Sequence, residues 1–133
     1  MTFVASEFVL FGFEDTEGKT AKPDVLMYKD GILYGIEFKN SRNGPSEKEG
    51  IRYSEISQAE AYVAHMKESG RFEQYVNCFR AFPNAEIGTI TEIRGIDAVP
   101  APPRRSRGSL EKDVKKAGVG LWEFGADGLI QRM

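Results

Sequence analysis

The chain has 133 residues, of which 41% are hydrophobic and 29% are charged. This length and composition are typical of one folded domain, so we expect a single domain over residues 1–133. No apolar run approaches the roughly 20 residues that a transmembrane helix needs, and residues 1–10 lack the basic start of a signal peptide. We therefore expect a cytoplasmic protein with no membrane partner.

Cys78 is the single cysteine of the sequence. One cysteine excludes a disulfide within the chain, an all-cysteine iron–sulfur cluster and a multi-cysteine zinc site. It also agrees with a reducing compartment such as the cytoplasm, where disulfides are rare.

Charge is distributed unevenly along the chain, although the net charge is only −2 at pH 7. Residues 1–37 carry seven acids against three lysines, whereas residues 99–116 carry six basic residues against two acids. An acidic end and a basic end fit a cation site beside a phosphate-binding surface. They also fit a protein that merely balances its surface charge, and the distribution alone favours this second interpretation.

The first third of the chain predicts three strands. Residues 3–13 are dense in Phe, Val and Leu, which is typical of a buried strand. Two β-rich runs follow over 24–29 and 32–39, and Asp30-Gly31 lies between them. Asp-Gly between two such runs is a strong signal for a tight β-hairpin.

The remaining chain predicts three helices and three strands. In chain order we expect helices over 54–68 and 71–81, a strand over 86–98, a Pro- and Arg-rich connector over 99–109, a helix over 110–117 and strands over 119–124 and 129–132. Ser109 is the predicted N-cap of the third helix. The resulting order, β-ββ-αα-β-α-ββ, predicts an α/β or α+β sandwich.

The predicted hairpin brings acidic and basic side chains together. If Asp30-Gly31 forms a two-residue turn, Asp24 lies directly opposite Glu37. Opposed residues point to the same face with their Cβ atoms roughly 4.5–5.5 Å apart, and Lys39 shares that face. A four-residue loop keeps this register, whereas a bulged three-residue loop shifts it by one residue.

Two close carboxylates repel each other unless a positive charge lies between them. Mg²⁺ binds such oxygens and keeps its remaining positions for water and a phosphate. A bound metal lowers the pKa of water and stabilises charge at phosphorus, while Lys39 holds a phosphate or helps to deprotonate the water. The pattern fits phosphodiester hydrolysis and, equally well, a surface ladder of two acids and a lysine.

Three short motifs follow one another in this part of the chain: Pro23-Asp24, Glu37-Phe38-Lys39 and Gln58-Ala59-Glu60-Ala61-Tyr62. In the order strand, strand, helix, they resemble the PD-(D/E)XK nuclease superfamily and its RecB-like branch with a QxxxY motif. The resemblance covers residues 23–62, just under a third of the chain. It implies an α/β restriction-endonuclease-like fold, a mixed central β-sheet flanked by α-helices, and Mg²⁺- or Mn²⁺-dependent hydrolysis of DNA.

The resemblance also implies residue roles: metal ligation by Asp24, Glu37 and the backbone carbonyl of Phe38, orientation of the attacking water by Lys39, and contact with the nucleic-acid backbone or support of Lys39 by Gln58 and Tyr62. The family usually carries a further acid on an opening helix, but this chain starts with a predicted strand. Glu7 is the expected substitute as a metal ligand, with Glu14, Asp15 and Glu17 as rivals.

Basic residues outside the motifs are candidates for phosphate contact, namely Arg42, Lys48, Arg104, Arg105 and Arg107. A solvated loop fits the arginine run nearly as well. His65, the single histidine, fits a solvated surface position better than a general base. Trp122 is expected in the core.

Three functions therefore stay open at the level of sequence. The favoured one is a metal-dependent deoxyribonuclease. The second is a non-catalytic nucleic-acid-binding module on the same fold, and the third is an unrelated structural or interaction protein. A homodimer through the exposed edges of strands 119–132 fits the first.

Overall fold

The computed structural model describes residues 2–6, 8, 10, 23–39, 53–68, 71–81, 87–103 and 106–133, and over 53–59 it describes the helical backbone alone. These residues form six strands and three helices: β1 (Thr2–Ser6), β2 (Val25–Lys29), β3 (Ile32–Phe38), α1 (Tyr53–Lys67), α2 (Arg71–Arg80), β4 (Glu92–Pro100), α3 (Arg107–Ala117), β5 (Gly120–Gly125) and β6 (Gly128–Gln131). None of the helices in these ranges is long and apolar enough to cross a membrane.

All six strands form one mixed sheet in the order β1-β2-β3-β4-β5-β6. The pairs β1–β2, β2–β3 and β5–β6 are antiparallel, whereas β3–β4 and β4–β5 are parallel. The two parallel connections contain α1 with α2 and α3, respectively, and both advance in the same direction across the sheet. Because such crossovers are nearly always right-handed, both place their helices on the same face.

The helix-covered face of the sheet contains two clusters of buried side chains. Leu33 and Ile93 of the sheet pack with Met66 of α1 and with Tyr75 and Phe79 of α2. Beside them lies a second cluster, formed by Val99 and Leu121 of the sheet and Leu110, Val114 and Ala117 of α3. These contacts fix the three helices to the sheet, since burial of apolar surface is the main favourable contribution to folding.

The opposite face of the sheet has its own apolar cluster, and its described members all belong to strands. Tyr34 and Trp122 lie in it with ring centroids 5.1 Å apart. Trp122 is 2% exposed, which confirms its predicted place in the core. The coarse prediction of an α/β protein with a mixed sheet is also confirmed. The described helices lie on one face, and the restriction-endonuclease-like fold stays a prediction.

The β2–β3 hairpin turns over two residues, as the sequence predicts. Asp30 and Gly31 both have positive φ, 50° and 84°, which is typical of the type I′ turn that matches the twist of a hairpin. Tyr28 Oη accepts the Gly31 N–H at 3.2 Å. The Gly31 carbonyl accepts the Thr91 N–H at 2.8 Å, which ties the turn to the start of β4.

Two predicted strands have different bounds in the structure. β1 ends at Ser6, and the described part of the rest of 3–13 is not strand, although Leu10 is buried in the core. β4 begins at Glu92 and reaches Pro100, which the sequence assigned to the connector. Proline is tolerated there because the hydrogen bond to the Phe124 carbonyl comes from the Ala101 N–H, and the pairing with β3 ends at Ala98.

The third helix begins earlier than predicted. α3 starts at Arg107, and its N-cap is Ser106, whose Oγ accepts the Ser109 N–H at 3.2 Å. The prediction of Ser109 as the cap is therefore wrong. Both serines suit an N-cap, and Gly108 between them gave no reason to extend the helix toward Ser106.

Replacement of Gly31 by alanine tests the hairpin turn. Its φ of +84° is unfavourable for alanine, and the new Cβ would lie 3.0 Å from Thr91 Oγ1. We expect Gly31→Ala to lower the free energy of unfolding in urea by about 1–2 kcal/mol. Gly108→Ala is the matched control, since no atom lies within 4 Å of its added Cβ.

Because Gly108 lies in α3, the control substitution should raise stability by about 0.5–1 kcal/mol. Equal stability of Gly31→Ala and wild type would contradict the positive-φ turn.

Candidate functional site

The hairpin places Asp24 beside β3. The paired residues of β2 and β3 run from Lys29 with Ile32 to Val25 with Ile36, which confirms the predicted register. Asp24 lies one residue before β2, and its Oδ2 accepts the Phe38 N–H at 2.8 Å. The carboxylate is thereby held at the carboxyl end of β3.

Glu37 and Lys39 lie next to Asp24 and are mostly buried. Lys39 Nζ is 3.8 Å from Glu37 Oε2, and the side chains are 13% and 9% exposed, respectively. The Lys39 N–H donates to the Ala98 carbonyl at 2.8 Å, which anchors the lysine to β4. This degree of burial differs from the exposed surface ladder that the sequence also fitted.

Asp97 is a third carboxylate at this place, and sequence reasoning missed it. It pairs with Glu37 across the parallel strands β3 and β4, so both side chains point to the helix-covered face. Asp97 is 0% exposed, and neither of its carboxylate oxygens has a hydrogen-bond partner; the same holds for Glu37 Oε1. Its sequence signal is an acid within an otherwise apolar stretch, Ile96 to Val99.

Burial shapes the electrostatics of both acids. It raises the pKa of Asp97 to about 8, with Lys39 opposing the shift and the negative charge of Glu37 adding to it. Burial and the charge of Asp24 raise the pKa of Glu37 to about 7, again opposed by Lys39. The metal-free site therefore favours the protonated acids near neutral pH.

The other residues predicted for the site lie in different surroundings. Phe38 turns its ring to the opposite face, where it is 40% exposed and packs on Phe124 at 5.4 Å, so only its main chain lies on the side of the acids. Tyr62 is half-buried and packs against the helix-covered core. Gln58 lies within α1, but its side chain is outside the described residues, as is Glu7.

The predicted phosphate-contacting arginine of α3 has a partner within the protein. Arg107 donates two hydrogen bonds, at 2.7 and 2.9 Å, to the fully buried carboxylate of Glu123. Arg132 also lies 3.2 Å from that carboxylate. Arg107 keeps 47% of its side chain exposed, so contact with DNA stays a prediction. The other predicted basic residues lie outside the described ranges, namely Arg42, Lys48, Arg104 and Arg105.

His65 is buried, so its predicted surface position is wrong. It is 6% exposed, with Nε2 2.9 Å from Tyr75 Oη and Nδ1 2.9 Å from Arg71 Nη1. Because arginine can only donate, Nδ1 accepts and the proton of the neutral ring lies on Nε2. Arg71 also bonds to Glu68. His65 thus joins α1 to α2, whose packing the helical spacing of α1 alone does not reveal.

Comparison of the chain with protein-family models, with curated proteins and with solved structures gave no match. The assignment of the site therefore depends on its geometry and on the three-motif resemblance. Within the described ranges, no three His, Cys, Asp or Glu side chains are grouped so as to hold a metal ion. A cation at this place would be held by two carboxylates and would keep several water ligands, as Mg²⁺ commonly does.

The raised pKa values predict a pH-dependent stability. In the unfolded chain carboxyl groups lose their protons near pH 4, whereas folded Glu37 and Asp97 keep theirs to about pH 7 and 8. Since the unfolded state releases these protons first, the free energy of unfolding falls as pH rises through this window. We expect a lower Tm in EDTA at pH 8 than at pH 5, by about 3–5 °C for each kcal/mol lost.

Asp97→Asn should reduce this pH dependence, because asparagine does not ionise. Asp127→Asn is the matched control at the exposed β5–β6 turn and should retain the wild-type slope. If Asp97→Asn and Asp127→Asn show the same change of Tm with pH, the pH dependence does not come from buried Asp97.

Proposed function

We propose that this protein is a divalent-metal-dependent nuclease that hydrolyses DNA phosphodiester bonds. The observation that carries the proposal is the convergence of Asp24, Glu37 and Lys39 on one face of the sheet, at the carboxyl end of β3. Two carboxylates and an ammonium group next to each other are the set that metal-assisted phosphodiester hydrolysis requires. The resemblance of the three motifs to PD-(D/E)XK nucleases supports the same conclusion.

The donor atoms at this place fit a hard divalent cation. Asp24 and Glu37 offer carboxylate oxygens, the ligands that Mg²⁺ and Mn²⁺ prefer. Glu37 Oε1 is buried and has no hydrogen-bond partner, so it has a free acceptor position. Asp24 and Glu37 would hold the metal together with the Phe38 carbonyl. When bound, the metal would supply an acidified water and charge stabilisation at phosphorus.

Lys39 supplies the second part of the chemistry. Its ammonium group lies 3.8 Å from Glu37 and its main chain is fixed to Ala98, so its position is determined by two strands. A lysine held this way can bind a phosphate oxygen as a point charge and orient the attacking water. Asp24 is only half-buried, which leaves a side of the site accessible to a substrate.

A non-catalytic nucleic-acid-binding module is the second candidate. It is favoured by the absence of a three-ligand metal cluster within the described ranges. Such a module would bind DNA without a metal, and its affinity would fall steeply with salt. The two candidates therefore differ in metal dependence and in cleavage.

Cleavage of DNA with Mg²⁺ or Mn²⁺ tests the proposed function. Supercoiled, linear and single-stranded DNA should be incubated with wild type and with Glu37→Gln, and the products followed by gel electrophoresis. We expect cleavage by wild type and its reduction in Glu37→Gln by about 100-fold or more, the scale of one lost electrostatic group in catalysis.

Glu92→Gln is the matched control, because it is the same Glu→Gln substitution at an exposed position on β4. There Glu92 forms an ion pair with Arg94. This variant should cleave as wild type does. Undiminished cleavage by Glu37→Gln would refute the assignment of the site, and metal-independent binding without cleavage would favour the non-catalytic module.

A further inference from the structure

Asp97 lies next to Glu37, but the proposed function gives it no part. Across the sheet, Asp24 lies on one side of Glu37 and Asp97 on the other. On its far side Asp97 pairs with Leu121 of β5, an apolar residue that offers its carboxylate no hydrogen bond. The acid thus faces Glu37 and Lys39 from within an apolar stretch of strand.

The burial of Asp97 has no compensation from hydrogen bonds. Its side chain is 0% exposed and both oxygens lack a partner. A carboxylate buried in this way destabilises the fold unless it is paired or bound to a cation. Protonation removes the charge but leaves an O–H and a carbonyl without partners, so it does not satisfy the group. A cation coordinated by the oxygens would.

The charge of the group points in the same direction. Among the described residues, three carboxylates and one ammonium group lie together at the carboxyl ends of β3 and β4: Asp24, Glu37, Asp97 and Lys39. With all four ionised the group has a formal charge of −2, which a divalent cation neutralises. Glu123 shows the contrast, because that equally buried acid is paired with Arg107 and Arg132.

We propose that Asp97 is a cation-binding carboxylate that holds a divalent metal ion together with Glu37. This inference rests on the proposed function and adds to it a ligand from a strand that carries none of the three motifs. The competing explanation is that Asp97 only holds Lys39 in place by its charge.

Binding of Mn²⁺ to the protein alone tests this role without any substrate. The free ion has a six-line electron paramagnetic resonance signal that is lost on binding, so a titration gives affinity and stoichiometry. We expect Asp97→Asn and Asp97→Ala to weaken binding by about tenfold or more, and Asp127→Asn to bind as wild type does. Thermal unfolding in EDTA verifies that each variant is folded. Two different substitutions are used so that the test can still be made if one of them does not fold.

Direct coordination is separated from a charge effect by Asp97→Cys. A thiolate prefers softer ions, so this variant should bind Cd²⁺ more tightly than Asp97→Asn does while remaining weak for Mn²⁺. Cys78 is present in every variant and cancels in the comparison. Equal Cd²⁺ affinity of the cysteine and asparagine variants would show that residue 97 does not contact the ion, which overturns the proposal.

The two proposals fail in different ways. Wild-type Mn²⁺ affinity in both Asp97→Asn and Asp97→Ala overturns the inference. If Glu37→Gln loses Mn²⁺ binding in the same experiment, the assignment of Glu37 as a metal ligand of the proposed nuclease still holds. A wild-type protein that binds no Mn²⁺ at millimolar concentrations also overturns the inference. The proposed function itself fails only if wild-type protein does not cleave DNA with either metal.

Discussion

The parallel pairing of β3 with β4 is the constraint on which the candidate site depends. It aligns Glu37 with Asp97, and it directs the Lys39 N–H to the Ala98 carbonyl. The same pairing requires a crossover, and its handedness places α1 and α2 over the face that carries these acids. Burial of the acids, their electrostatic coupling and the position of the lysine all follow from one strand contact.

Two buried acids on the helix-covered face of the sheet illustrate how differently a carboxylate can be accommodated. Glu123 accepts hydrogen bonds from Arg107 and lies beside Arg132, and these arginines lower its pKa. Asp97 has no hydrogen-bond partner, and its pKa is raised. Since a buried polar group without a partner is costly, the burial of Glu123 is compensated within the fold, whereas that of Asp97 is not.

Several features could be predicted from sequence because their causes are local. Asp30-Gly31 determines a two-residue turn, and the turn alone sets the register that brings Asp24 opposite Glu37. The errors have non-local or ambiguous causes. His65 contacts Tyr75 because α2 folds back onto α1, and the start of α3 depended on a choice between two serines that are both suitable caps.

The sequence by itself determined the hairpin, the mixed α/β class and the order of the elements, because turn chemistry and hydrophobic period act over a few residues. Tertiary structure decided which strand lies beside the hairpin. Asp97 is 60 residues from Glu37 in the chain, and no local pattern records that the two are neighbours. The parallel pairing of β3 with β4 makes them neighbours, and with it the tertiary structure adds the third acid of the candidate site.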